Sequence, residues 1–266
     1  MKGSGKKWKG IVLLFCFLFI SLMVLNLDHR TENAYGQDPT KIQTGKKVYQ
    51  KYCTICHGGK GDGKGLIGII HRVEKSGLIW YTYPRDFTVG VFKFRSTPTG
   101  CLPTDEDLFR IIERGIPRSG MPSHKDVSAE DIEAVKEFIK TYAKRWEEED
   151  PCDPIPVKKP DWVGEVASVN KGKAVYQDMK CWECHGYEGK GDGPKAGDLK
   201  DDWGDQILPF DFTSGALKRG SSPENIYITY STGLDGTGMP SYEDSLNEED
   251  RWHLDSYTLK LMGRKK

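Results

Sequence analysis

Two pentapeptides, Cys53-Thr54-Ile55-Cys56-His57 and Cys181-Trp182-Glu183-Cys184-His185, lie 128 residues apart. Each places two thiols three positions apart on one helical turn, with an imidazole immediately after. That pattern suits addition of both sulfurs to the two vinyl groups of a haem, leaving the adjacent His to reach the iron. Two covalently attached haem c groups are therefore the expected cofactors, bound by Cys53, Cys56 and His57 and by Cys181, Cys184 and His185. A bare CxxC also serves zinc or dithiol chemistry, but zinc pairs usually lie roughly 12–20 residues apart. Here His follows each second Cys directly.

The sixth position on each iron calls for a second donor, and methionine supplies the best candidates. Met121 is the only methionine between Met23 and Met179. Met239 repeats its context, Gly-Met-Pro-Ser, whereas Met262 follows the last helical pattern and Met179 is too close to Cys181 to reach the opposite face. A lone methionine is most often core filler, yet one set between Gly and Pro in both copies sits in a loop. The expected iron ligands are therefore His57 with Met121 and His185 with Met239. His71, His124 and His253 compete, because bis-His ligation would lower the redox potential. None of them is duplicated: position 124 corresponds to Tyr242, and position 253 to Ala134. The glycines after each motif nearly spell a phosphate loop, but Gly65 stands where Ser or Thr should hold magnesium, and no strand precedes them. Asp62 and Asp192 each offer a single carboxylate, a poor calcium site. Trp80, Tyr81, Tyr83 and Trp203 are expected to wall the pockets.

Duplication runs through the chain. Gly45-Lys46-Lys47-Val48-Tyr49-Gln50 matches Gly172-Lys173-Ala174-Val175-Tyr176-Gln177, with one extra residue before the second motif. Gly61-Asp62-Gly63 is matched to Gly191-Asp192-Gly193, and Asp86-Phe87-Thr88 to Asp211-Phe212-Thr213. Between these lie helix signals: Thr104 with Asp107 as a cap and Gly115 as a stop, answered by Ser222-Pro223 and Gly233. Closing helices start at Ser128 and Asn247, with Val135, Phe138 and Ile139 or Leu254 and Tyr257 facing inward. The expected fold class is mainly α, with two tandem small helical domains at 37–146 and 166–266. An acidic, Pro-rich segment, 147–165, connects them, and its composition favours an extended, fairly stiff link.

This order of parts resembles the class I cytochrome c family over about residues 40 to 145 and 166 to 264. The resemblance implies that Gly45 and Tyr49, and Gly172 and Tyr176, mark where the first helix of each half crosses the last. It also implies a proline carbonyl holding each proximal imidazole, with Pro84 and Pro209 as candidates.

Residues 1–36 read as an export signal: lysines precede an uncharged apolar run, Ile11 to Leu27, ending at Asp28, His29 and Arg30. Seventeen residues exceed a usual signal core and stand at the short limit for a span. Cleavage before Gln37, at the small-x-small site of Ala34 and Gly36, and retention as an anchor through residues 11–27, are both open. Either way the remainder is expected in the periplasm or on the outer face of the cytoplasmic membrane. Cys16 lies in the apolar run, and the two remaining thiols, Cys101 and Cys152, are expected to form a disulfide in an oxidising compartment.

Net charge is zero and no polybasic run follows the N-terminus, so nothing supports nucleic-acid binding and none is expected. With both irons saturated, outer-sphere transfer of single electrons between redox protein partners is the expected role, alone or within a membrane-bound respiratory or dehydrogenase complex. A dihaem peroxidase, which needs one open iron, is the alternative.

Overall fold

The computed structural model describes residues 38–73, 79–202 and 204–264. The export segment at 1–36, Cys16, Trp203 and the side chain of Trp80 lie outside what is described. Residues 40–266 form one compact unit, and it is mainly helical. Among the described residues, no helix is long and apolar enough to cross a membrane.

The first half contains α1 (Pro39–Tyr52), α2 (Thr54–His57), α3 (Asp105–Arg114), α4 (Ala129–Lys140) and α5 (Arg145–Glu148). The second contains α6 (Val166–Asp178), α7 (Trp182–His185), α8 (Pro223–Thr232) and α9 (Glu248–Leu261). The caps fall where the sequence puts them. Thr104 and Asp107 form a reciprocal capping box, while Ser128, Ser222 and Asn247 accept from the backbone N–H three residues on.

Helix crossings set the geometry of each half. A Cβ on Gly45 would stand 2.0 Å from the Ala134 carbonyl oxygen, and one on Gly172 would stand 1.8 Å from that of His253. Backbone therefore meets backbone where α1 crosses α4 and where α6 crosses α9. One helical turn beyond each glycine, a buried tyrosine ties the crossing to the Cys-bearing turn: Tyr49 Oη donates to Gly58 O at 2.8 Å and Tyr176 Oη to Gly186 O at 2.6 Å. The extra residue of the second half is absorbed just before the motif. Cys53 N donates to Tyr49 O, four back, whereas Cys181 N donates to Tyr176 O, five back, and Lys180 takes a left-handed φ of 55°.

Two features depart from expectation. An antiparallel pair, β1 (Ile70–Val73) and β2 (Ile79–Thr82), stands in register Ile70 to Thr82, formed from segments rich in β-branched and aromatic residues. The connecting segment is also more than a spacer. Its residues 151–160 have no regular secondary structure, yet Ile155 and Val163 are buried against Tyr227 and Trp252, and Ile155 N donates to Ser96 O. Burial of two apolar side chains turns it into a strap across both halves. Its acidic start is solvated, with Glu148 and Glu149 paired to Lys144 and Arg145.

Cys101 and Cys152 are disulfide-bonded, closing a separation of 51 residues. Replacing both by serine is expected to cost about 2–3 kcal/mol of stability, read as a lower melting temperature with the optical spectrum retained. Asp255, on α9, is fully buried, and neither carboxyl oxygen has a hydrogen-bond partner among the described residues. Burial pushes its carboxyl well above the usual carboxylate range. The folded chain thus holds a proton that the unfolded chain releases above about pH 4, so stability falls as pH rises past that value. Asp255→Asn should add about 1–2 kcal/mol at neutral pH, a gain in melting temperature that vanishes in acid.

Candidate functional site

Each Cys-His turn is built the same way. Cys53 and Cys181 sit at the start of a single helical turn, and His57 N and His185 N each donate to the first cysteine's carbonyl at 2.9 Å. All four motif cysteines are free of disulfides. Gly58 and Gly186 then reverse the chain with φ near 75°.

The imidazoles are fixed on two sides. His57 Nδ1 lies 3.1 Å from Arg85 O, and His185 Nδ1 lies 3.2 Å from Phe210 O. These carbonyls follow Pro84 and Pro209 by one residue, which corrects the expected proline carbonyls. Pro84 O and Pro209 O instead face Gly63 and Gly191, where a Cβ would approach to 2.8 and 2.5 Å, so the prolines hold the carbonyl-bearing segment against the post-motif loop. Phe87 stacks on the His57 ring at 4.5 Å between centroids, and Phe212 stacks on His185 at 4.8 Å. Each phenylalanine is set by its neighbours: Asp86 Oδ1 accepts from Thr88 N and Oγ1, and Asp211 Oδ1 does the same for Thr213. The Asp-Phe-Thr repeat was visible in sequence, and its imidazole-clamping role emerges only here. Burial lowers the pKa of both imidazoles and keeps them neutral, the form that donates a lone pair through Nε2 once Nδ1–H is engaged.

The post-motif glycines also correct a register. Gly63 N donates to His57 O and Gly191 N to His185 O, while Gly61 O and Gly189 O accept from Phe87 N and Phe212 N. Gly61 thus corresponds to Gly189 rather than to Gly191. Asp62 and Asp192 reach the same place from different registers, each with Oδ1 against the glycine after the His.

The methionines come from braced loops. Gly115 and Gly233 end α3 and α8, Ile116 N and Leu234 N donate to Met121 O and Met239 O, and Ser119 Oγ and Thr237 Oγ1 accept from Met121 N and Met239 N. One cavity of about 610 Å³ is lined by all four motif cysteines, His57, His185, Met121 and Met239. Most of its remaining wall is apolar or aromatic, including Tyr81, Tyr83, Phe94, Leu199 and Phe210. Met179 and Met262 pack against the second half's core instead. His71 is exposed, and His253 is held by Ser168 and Glu249. His124 lines the cavity with Nδ1 on Ile112 O. Free thiols, neutral imidazoles with one nitrogen spoken for, and thioethers on an apolar cavity form a donor set that fits haem c.

Comparison with known proteins follows the same division. Residues 40–139 match the family described as cytochrome c oxidase, cbb3-type, subunit III, and residues 169–261 match the cytochrome c family. Among solved structures, a chain of the Kuenenia stuttgartiensis reducing HAO-like protein complex is similar, with 38% identity and a TM-score of 0.72 over 82% of this chain and 96% of that one. No curated protein matches the chain.

Proposed function

This chain belongs to the class I c-type cytochromes, in a form with two tandem cytochrome c domains, and on that premise we propose that it carries single electrons between redox partner proteins through two covalently bound haem c groups. Cys53 and Cys56 hold one group and Cys181 and Cys184 the other. His57 with Met121, and His185 with Met239, are the iron ligands. A bound haem supplies a reversible one-electron couple, and thioether ligation biases it toward positive potentials.

The observation that carries this reading is the shared cavity, on which both ligand pairs converge. Carbonyls at Arg85 and Phe210 orient the imidazoles, and loops pinned by Ser119 and Thr237 present the sulfurs. Filling both axial positions leaves small substrates no site, which supports a carrier over a peroxidase. Partner docking has support at the first motif's surface. Ile55, Leu66, Ile67 and Ile69 are exposed, Leu66 at 95%, and Ile67 N donates to Ile55 O. In the second half the positions of Ile55 and Ile67 hold Glu183 and Lys195, which form an ion pair. The likeness to a chain of a multi-protein redox complex supports a place as the electron-transfer subunit of a larger assembly. The apolar N-terminal segment supports export beyond the cytoplasmic membrane, with residues 11–27 as leader or anchor.

Intact mass and spectra test the proposal together. Two haem adducts on the mature chain, His/Met spectra from both centres and no uptake of carbon monoxide are the expected results. A single adduct, or ready binding of carbon monoxide to the native protein, would refute it.

A further inference from the structure

The apolar cavity carries an unexpected belt of positive charge. Arg85, Lys93, Arg118, Lys218 and Arg219 line it, against Asp201 and Asp211. Arg85 and Lys93 come from the first half and Lys218 and Arg219 from the second. Lys93, half-buried, makes no hydrogen bond and no ion pair among the described residues. The groups whose charge reaches it are Arg85 and Lys218, which repel it, and Asp201 and Asp202, which attract it. Arg219 is buried, with Nε and Nη1 unpartnered among the described residues; Asp107 attracts it, while Arg110, Arg95 and Arg114 crowd it with like charge. A desolvated ammonium such as that of Lys93, beside like charges at an apolar space, is costly unless an anion joins it.

Haem bears a pair of carboxylate arms on the edge away from the vinyl groups that the cysteines capture. We propose that Lys93 of the first half and Lys218 of the second, both lining the cavity, bind the carboxylate arms of both haems in one shared charged cluster, so that each centre's potential depends on lysines from either half. The inference rests on the two-haem reading above. Burial and its cationic neighbours push the Lys93 ammonium down to about 8, and an anion beside it would raise it again.

The test uses the full chain carrying K93Q, K218Q or both, with K93R as the conservative control. Intact mass comes first: two adducts in each variant keep the underlying reading in place, so that reading's failure is separately visible. Potentiometric titration then reads the cluster. Removing one cation should lower the reduced-to-oxidised ratio at fixed applied potential about three- to tenfold at both centres, the size expected for a unit charge roughly 12 Å away at an effective dielectric constant of about 20. K93R should restore both. Unchanged potentials, or a shift confined to one centre whichever lysine is replaced, would overturn the shared cluster. Should K93Q fail to mature, K218Q and K93R decide by the same titration.

Discussion

Met239→Ala is expected to yield a chain with both cofactors attached and one iron newly open: that centre binds cyanide or carbon monoxide, and its potential falls by a sizeable part of the roughly 0.8 V that axial ligation spans. The loop should survive the change, because its braces are main-chain and hydroxyl contacts, Leu234 N to Met239 O and Met239 N to Thr237 Oγ1. His185 keeps its carbonyl and its stacked phenylalanine, so attachment and the proximal side are untouched. Among the described residues of the second half no other methionine can substitute, since Met179 and Met262 pack on the core rather than line the cavity. Met121→Ala should act likewise at the other centre. The second half gives the cleaner experiment, because Tyr242 stands there where the first half has His124. An unaltered spectrum and no ligand uptake in Met239→Ala would remove the sulfur from the assignment.

Gly172→Val should largely abolish accumulation of the folded holoprotein. Even the first added carbon would lie 1.8 Å from His253 O and 3.0 Å from Tyr257 Cβ, and neither backbone nor Cβ can turn aside. Separating α6 from α9 would tear apart the core of Tyr176, Leu254 and Tyr257, a cost beyond the roughly 1–3 kcal/mol of ordinary overpacking. Gly45→Val is expected to do the same through Ala134. Gly59→Ala, with nothing within 4 Å of the new carbon, is the control and should stay within about 0.5 kcal/mol of the parent. Yield of haem-bearing protein and its melting temperature read all three, and a Gly172→Val chain melting like the parent would show that the crossing does not need this glycine.

Much of this architecture is legible in the sequence, because its signals are local. Thr104 and Asp107, Ser222 and Pro223, and Asn247 and Asp250 specify helix starts through hydrogen bonds three residues long. The crossing glycines and their tyrosines were legible from duplication and family resemblance. The failures share a cause as well. Glycines spaced by two offer two registers of equal quality, and only the His57 and His185 carbonyls choose between them. Pro84 and Pro209 are conspicuous in sequence, but a carbonyl belongs to whichever residue the bend turns inward, and that is the next one. Where the first half has the β1–β2 pair, the described residues of the second half show a single antiparallel bridge, Lys200 to Gln206, so the repeat could not announce the strands. Ile155 sits among prolines and charges, and its burial depends on Tyr227 and Trp252, more than seventy residues away. The clamping role of Phe87 and Phe212 likewise needs a ring that only the fold brings near.

Arg95 matters for what it denies the molecule. Fully buried in the first half, it sends a fork of two N–H groups to Asp235, with Nη1 2.7 Å from Oδ2 and Nη2 3.1 Å from Oδ1, and reaches the Thr232 carbonyl besides. Arg219 answers from the other side with a bond to the Arg95 carbonyl. A guanidinium held this way tolerates little sliding or hinging. The span between the two Cys-His turns is then a constant, indifferent to viscosity or tether length, and any traffic between them is a hop over fixed ground rather than a search.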